Sequence, residues 1–183
     1  MKIPLTYGFI GALAGAALTL LLYFGGFHDS VEKFSAGQWI GGIGGLLILI
    51  VCLVLALREK RATAPASVEW GYGSALGAGL LTALTSTVLG AIANYIYFVY
   101  VNPHISDVIL AAQQAKMEQL GLSAEKIAAQ EEMMRKWMSP GISTFFQAAF
   151  AFFIATLVCL IVAIFFRERR ENPLVADAPP PLA

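Results

Sequence analysis

The side chains able to do chemistry in this sequence are few, and most of them stand inside apolar runs. Asn94 and Gln147 carry amides, Thr82 and Thr85 hydroxyls, Cys52 and Cys159 thiols, and His28 and His104 imidazoles. An amide in an apolar stretch is guaranteed no backbone partner, so Asn94 must bond to another segment or to a polar solute. Gln147 is the partner its position suggests, and a polar cavity is the other reading. Thr82 and Thr85 can return hydrogen bonds to their own backbone and so require no ligand.

The remaining groups fall short of a reaction centre. Cys52 and Cys159 lie deep in separate apolar runs with no Cys-x-x-Cys pair, as small interior residues do. Two histidines, even with Asp29 and Asp107 nearby, are fewer than the ligands a zinc site needs. Met117, Met133, Met134 and Met138 offer thioethers that suit soft metals, but a helix face accounts for them. No serine or cysteine nucleophile is paired with a base, and there is neither a phosphate loop nor a basic stripe. No Asp, Glu, Lys, Arg or His stands at the middle of any apolar run, where proton relays and coupled transporters place theirs. The expectation is a protein that is not an enzyme, with no cofactor, no metal site and no nucleic-acid partner.

The elements that position these residues follow from charge. Of 183 residues, 58% are apolar and 13% charged, with no net charge. A soluble domain would carry about 25% charge. Here residues 34–57, 70–106 and 137–166 contain no acid, lysine or arginine, and residues 3–33 contain them only at the far end. A hydrocarbon core about 30 Å thick needs about 20 helical residues per crossing. Four segments supply them, at about 5–24, 39–57, 73–101 and 142–166. Lys2 before the first run faintly suggests a secretion signal, but the run continues to Phe24, too long for one, and a retained span is expected. The fold expected is an all-α integral membrane protein, a single four-helix membrane domain over residues 1–170 followed by a disordered tail, 171–183, with Pro179, Pro180 and Pro181.

Orientation follows from the bases flanking the spans. Lys2, the run Arg58, Glu59, Lys60, Arg61 and the run Arg167, Glu168, Arg169, Arg170 belong on one side, which places both termini in the cytoplasm. The loop 102–141 is then extracytoplasmic, and its markers divide it into two short helices. Ser106 can cap the first, beginning at Asp107 and stopped by Gly121. Ser123 can cap the second, which ends near Ser139, Pro140 and Gly141 and sets Ile127, Met133, Met134, Trp137 and Met138 against Glu131, Glu132, Arg135 and Lys136. Membrane surface, bundle mouth and partner subunit are the three surfaces this helix could cover. Tyr95, Tyr97, Tyr100, Trp39, Trp137 and Phe27 would form an aromatic belt at one interface, and Trp70 and Tyr72 at the other.

Small residues recur at intervals of four: Gly11 and Gly15, then Gly37, Gly41 and Gly45, then Gly73 and Gly77. Such faces allow close helix approach in lipid. Packing within the chain, packing against a second copy, and a path for a small solute are the three readings.

The run Asn94, Tyr95, Ile96, Tyr97 with Val101, Asn102, Pro103 resembles a family of bacterial membrane proteins, domain of unknown function 4199. So do Met117, Glu118, Gln119, Leu120, Gly121, Leu122, Ser123, and later Met134 with Ser139, Pro140, Gly141. The likeness covers about residues 5–170. It implies four helices and a bacterial inner-membrane location, and carries over no catalytic or binding residue. Two functions stay open: a noncatalytic role in envelope organisation or as partner of another membrane protein, and a passive channel or small-solute transporter component. The partners expected are the bilayer itself and either a second copy or another membrane protein.

Overall fold

The computed structural model describes residues 2–65 and 70–167. Among them are six α-helices, one π-helical turn and no strand. The helices are α1 (Lys2–Phe24), α2 (Val31–Ala62), α3 (Tyr72–Ile96), α4 (Ile105–Gln119), α5 (Ala124–Trp137) and α6 (Pro140–Phe166), with the π-helical turn Tyr97–Val101 continuing α3. Four of these stretches, Lys2–Phe24, Val31–Ala62, Tyr72–Val101 and Pro140–Phe166, are long and apolar enough to cross a membrane.

Their boundaries differ from the sequence reading in places with identifiable causes. The second span was expected from residue 39, but α2 begins at Val31, so only a six-residue connection, 25–30, separates it from α1. Residues 31–38 are polar enough to look like loop, yet Phe34 and Gly37 on that turn are buried. With 32 residues, α2 is about 48 Å long at 1.5 Å per residue, so it must tilt or extend beyond the lipid. The tail 171–183, with Arg169 and Arg170, lies outside the described residues.

Two connections are closed by glycine. After α1, Gly26 takes φ +74°, its N–H donates to Tyr23 and that of Phe27 to Leu22. After α4, Gly121 takes φ +72°, its N–H donates to Glu118 and that of Leu122 to Met117. Both are Schellman caps, which need a left-handed residue that glycine adopts without a Cβ clash. The start of α4 differs from expectation: its cap is His104, and Ser106 lies inside the first turn. Ser123 does precede α5, but its side chain makes no capping bond.

In the bundle α3 is central, packed against α1 and α6, with α2 also touching α1, α3 and α6. The interior is built in three layers. Leu57, Trp70, Ala75, Ala78 and Ala163 pack at one end, Leu53, Ala83, Ala155 and Cys159 in the middle, and Phe34, Tyr97, Phe98 and Ile105 at the other end. The small residues that let α3 and α6 approach are therefore Ala75, Gly79 and Ala83 against Ala155, Cys159 and Ala163, each series spaced by four. Gly79 lies where an added Cβ would stand 3.4 Å from Cys159 Sγ. Large apolar side chains such as Phe145, Phe150, Phe153 and Leu21 point outward, which in water would be unfavourable and in lipid is the normal surface.

Candidate functional site

The glycines named from sequence occupy very different surroundings. A Cβ on Gly11 would meet Ser86 Oγ at 3.1 Å, and one on Gly41 would meet Leu22 Cδ1 at 3.3 Å. Nothing stands within 4 Å of a Cβ at Gly15, Gly45, Gly73 or Gly77. The closest approach of α1 to α3 is instead at Gly8, where a Cβ would lie 2.6 Å from Thr85 Cβ and 2.8 Å from the Thr82 carbonyl oxygen. Spacing of four marks several faces of a helix equally well, and only the crossing point decides which face is used.

The polar groups of α3 singled out from sequence, Thr82, Thr85 and Asn94, bond to protein. The Thr82 hydroxyl donates to the Ala78 carbonyl at 3.0 Å, and that of Thr85 to Leu81 at 2.8 Å. Asn94 Nδ2 donates to Gln147 Oε1 at 3.3 Å, bridging α3 and α6. Near this bridge an open groove of about 370 Å³ runs between the two helices, walled by Ile92, Tyr95 and Ile96 on one side and Thr144 and Phe145 on the other. Its lining is almost wholly apolar. Elsewhere, Tyr7 donates to Glu59 at 2.7 Å, joining the start of α1 to the end of α2, and Tyr72 donates to the Leu160 carbonyl at 3.2 Å, joining α3 to α6.

A second polar cluster, around Tyr97, was not assembled from sequence. Tyr97 and Trp70, both expected at the membrane interface, are each only 5% exposed. The side chain of Trp70 packs into the layer formed by Leu57, Ala75, Ala78 and Ala163. Tyr97 lies in the opposite layer, where its ring meets Tyr23 edge-on at 6.0 Å and that of His28 at 5.6 Å. Its hydroxyl bonds to His28 Nδ1 and accepts from Asn102 Nδ2 at 3.3 Å. Asn102, itself buried, also donates its backbone N–H to the Tyr97 carbonyl at 2.8 Å, the bond that closes the π-helical turn. Pro103 follows and cannot continue the helix. An Asn-Pro step after an aromatic run was the only signal in the sequence, and the partner, His28, lies across the fold.

Burial holds the His28 imidazole below its ordinary histidine value, with the neighbouring Asp29 opposing. His104 instead stands exposed beside Asp107, at 3.9 Å. The two histidines thus have separate partners. Among the described residues no three of His, Cys, Asp and Glu are grouped as a metal site requires.

Between α3 and α6, α4 and α5 form a hairpin. Gln114 of α4 donates to Glu131 of α5, and Arg135 reaches the same carboxylate at 2.8 Å. The bond from Arg135 is the chief reason the Glu131 carboxyl is held below its ordinary value. No residue of α5 is buried. Met133 and Trp137 are exposed, although the Trp137 ring meets that of Phe146 at 5.4 Å.

A family model described as protein of unknown function (DUF4199) matches residues 6–168. No curated protein and no solved structure matches the chain.

Proposed function

Because the chain belongs to the DUF4199 family, whose members are described only as proteins of unknown function, membership supplies no activity, and we propose from the geometry a noncatalytic, multi-pass protein of the bacterial cytoplasmic (inner) membrane that acts as partner of another membrane protein or in organising the envelope. The observation that carries this reading is the α4–α5 hairpin. Its two helices are joined by the bond from Gln114 to Glu131, yet α5 buries none of its residues against the bundle and leaves Met133 and Trp137 exposed. An amphipathic helix whose apolar face stays exposed, apart from the contact of Trp137 with Phe146, is suited to contact with a second protein. In this reading both termini are cytoplasmic and the hairpin is extracytoplasmic, in keeping with the basic residues Lys2, Arg58, Lys60 and Arg61 beside the span ends.

The alternative, a passive channel or small-solute transporter component, drew on Asn94, Thr85 and the glycine faces. It has less support, since Thr85 and Asn94 donate to Leu81 and Gln147 and Gly8 and Gly11 are closed by α3.

Photo-crosslinking from position 133 or 137 in intact cells, followed by identification of the adducts, tests the proposal. A reproducible membrane-protein neighbour is expected. Adducts with lipid alone, combined with solute flux on reconstitution, would transfer the support to the channel reading.

A further inference from the structure

Independently of that role, the cluster around Tyr97 has a property that follows from its hydrogen-bond inventory. Asn102 reaches the phenol oxygen with its amide nitrogen, which can only donate. The phenol has one proton, which is free for His28 Nδ1; in the tautomer that receives it, Nδ1 accepts and carries no proton of its own. The imidazole in this arrangement is neutral, protonated at Nε2. Tyr97 thus joins three places: the 25–30 turn through His28, the π-helical end of α3 through its own backbone, and the entry to α4 through Asn102, whose carbonyl accepts from Ile105 at 3.2 Å.

We propose that this chain of bonds is a proton-sensitive latch holding the α1–α2 turn on the π-helical end of α3, and that protonation of His28 opens it. A proton on Nδ1 places an N–H where the Tyr97 O–H already points, so the phenol loses its acceptor while Asn102 still offers it a donor. The new charge would also sit against Tyr97 and Asn102, both buried, and charge is disfavoured there. The ionisable groups at this end are few. Asp29 is the charge acting on His28, and it favours protonation. From α1 the neighbouring group is Tyr23, whose ring lies against Tyr97. Glu32 and Lys33 at the start of α2 are exposed, and Asp107 of α4 faces His104. The residues of α4 that pack on this layer, Ile105, Val108 and Ile109, carry no charge. Single π-helical turns are rare and frequent at functional sites, which suits a latch seated on one.

Hydrogen exchange of the full chain in nanodiscs, read by mass spectrometry over residues 25–34 and 97–103 and corrected for intrinsic rates, tests the latch between about pH 8 and pH 5. The ring titration of His28 is followed in parallel by NMR of labelled histidine in His104→Gln, which leaves a single histidine. Protection of both segments is expected to fall about tenfold with a midpoint that coincides with the His28 titration and lies below the usual histidine value. His28→Gln, whose amide oxygen accepts without titrating, should keep protection at all pH values, and Tyr97→Phe should lack it at all pH values. Unchanged protection in the wild type after His28 has titrated would overturn the proposal, since the Asn102 amide would then have turned to accept. So would the same pH response in His28→Gln, or a transition displaced from the ring titration. If His28→Gln does not fold, the coincidence of the two wild-type midpoints decides alone.

Discussion

Replacing Gly8 by alanine isolates the contact on which α1 and α3 are closed. The added methyl would stand 2.6 Å from Thr85 Cβ, 2.9 Å from Thr85 Cγ2 and 2.8 Å from the Thr82 carbonyl oxygen. The carbonyl belongs to the α3 backbone, and the β-branched Thr85 is fixed by its bond to Leu81, so neither can turn aside and the helices must separate. Overpacking of this kind costs about 1–3 kcal/mol. The gain in helix propensity, about 1 kcal/mol for Gly→Ala, applies equally to Gly15→Ala, where nothing stands within 4 Å. It cancels when the two variants are compared, and the difference between them reports the contact alone, a ratio of roughly fivefold to more than a hundredfold in the unfolding equilibrium. Gly44→Ala is the second control. Its methyl would also meet an atom at 2.8 Å, but that atom is Cδ2 of Leu18, the far end of a flexible side chain, so its stability should lie near that of Gly15→Ala. Reversible unfolding by SDS titration out of a mild detergent, followed by tryptophan fluorescence and circular dichroism, measures all three. Equal stability of Gly8→Ala and Gly15→Ala would refute the close α1–α3 crossing at Gly8.

Further outcomes are expected from the same structure. A double-mutant cycle of Asn94→Leu and Gln147→Leu, read by the same unfolding assay, should show a coupling of about 0.6 kcal/mol, the usual size of an interhelical hydrogen bond in a membrane; additive effects would mean the bridge is not formed. Gly121→Ala should destabilise the end of α4 by about 1–2 kcal/mol, because an L-residue is disfavoured at its positive φ, with faster amide exchange at residues 117–122 and no change in the span helices. The Glu131 carboxyl has a lowered value in the folded chain, so the stability it confers is present above the ordinary carboxylate value and lost as pH falls through the lowered one. Amide protection across the α4–α5 hairpin, corrected for intrinsic rates, should therefore fall in acid, and Glu131→Gln should show the loosened hairpin already at neutral pH.

Much of the architecture was legible from charge alone. The charge-free runs located four apolar helices, and the punctuation by Gly121 and Ser123 divided the long connection into α4 and α5, whereas Pro140, read as an end of α5, begins α6. The start of α2 was not legible, because Val31 to Gln38 mixes Glu32, Lys33 and Ser35 with Phe34 and Gly37, and its helical state rests on what the last two pack against. Phe27 is the neighbour at Gly37, with its Cβ 2.9 Å from where a methyl would stand. The bridge between Asn94 and Gln147 could be named beforehand, since an amide in an apolar span has few choices of partner. The cluster at Tyr97 could not, because a tyrosine near a span end has the same composition signature at a lipid interface and in a core.

The distribution of charge and apolar residues thus determined by itself that the chain has long helices suited to lipid and where they run, since the cost of placing a charge in hydrocarbon acts on each residue separately. Tertiary structure alone decided which small residues meet, Gly8 on Thr85 and Ala75, Gly79 and Ala83 along α6, and which polar groups converge on Tyr97. Those outcomes depend on how the helices cross and rotate against one another, and van der Waals contact, falling off within an ångström or so, is decided by that geometry and not by residue type.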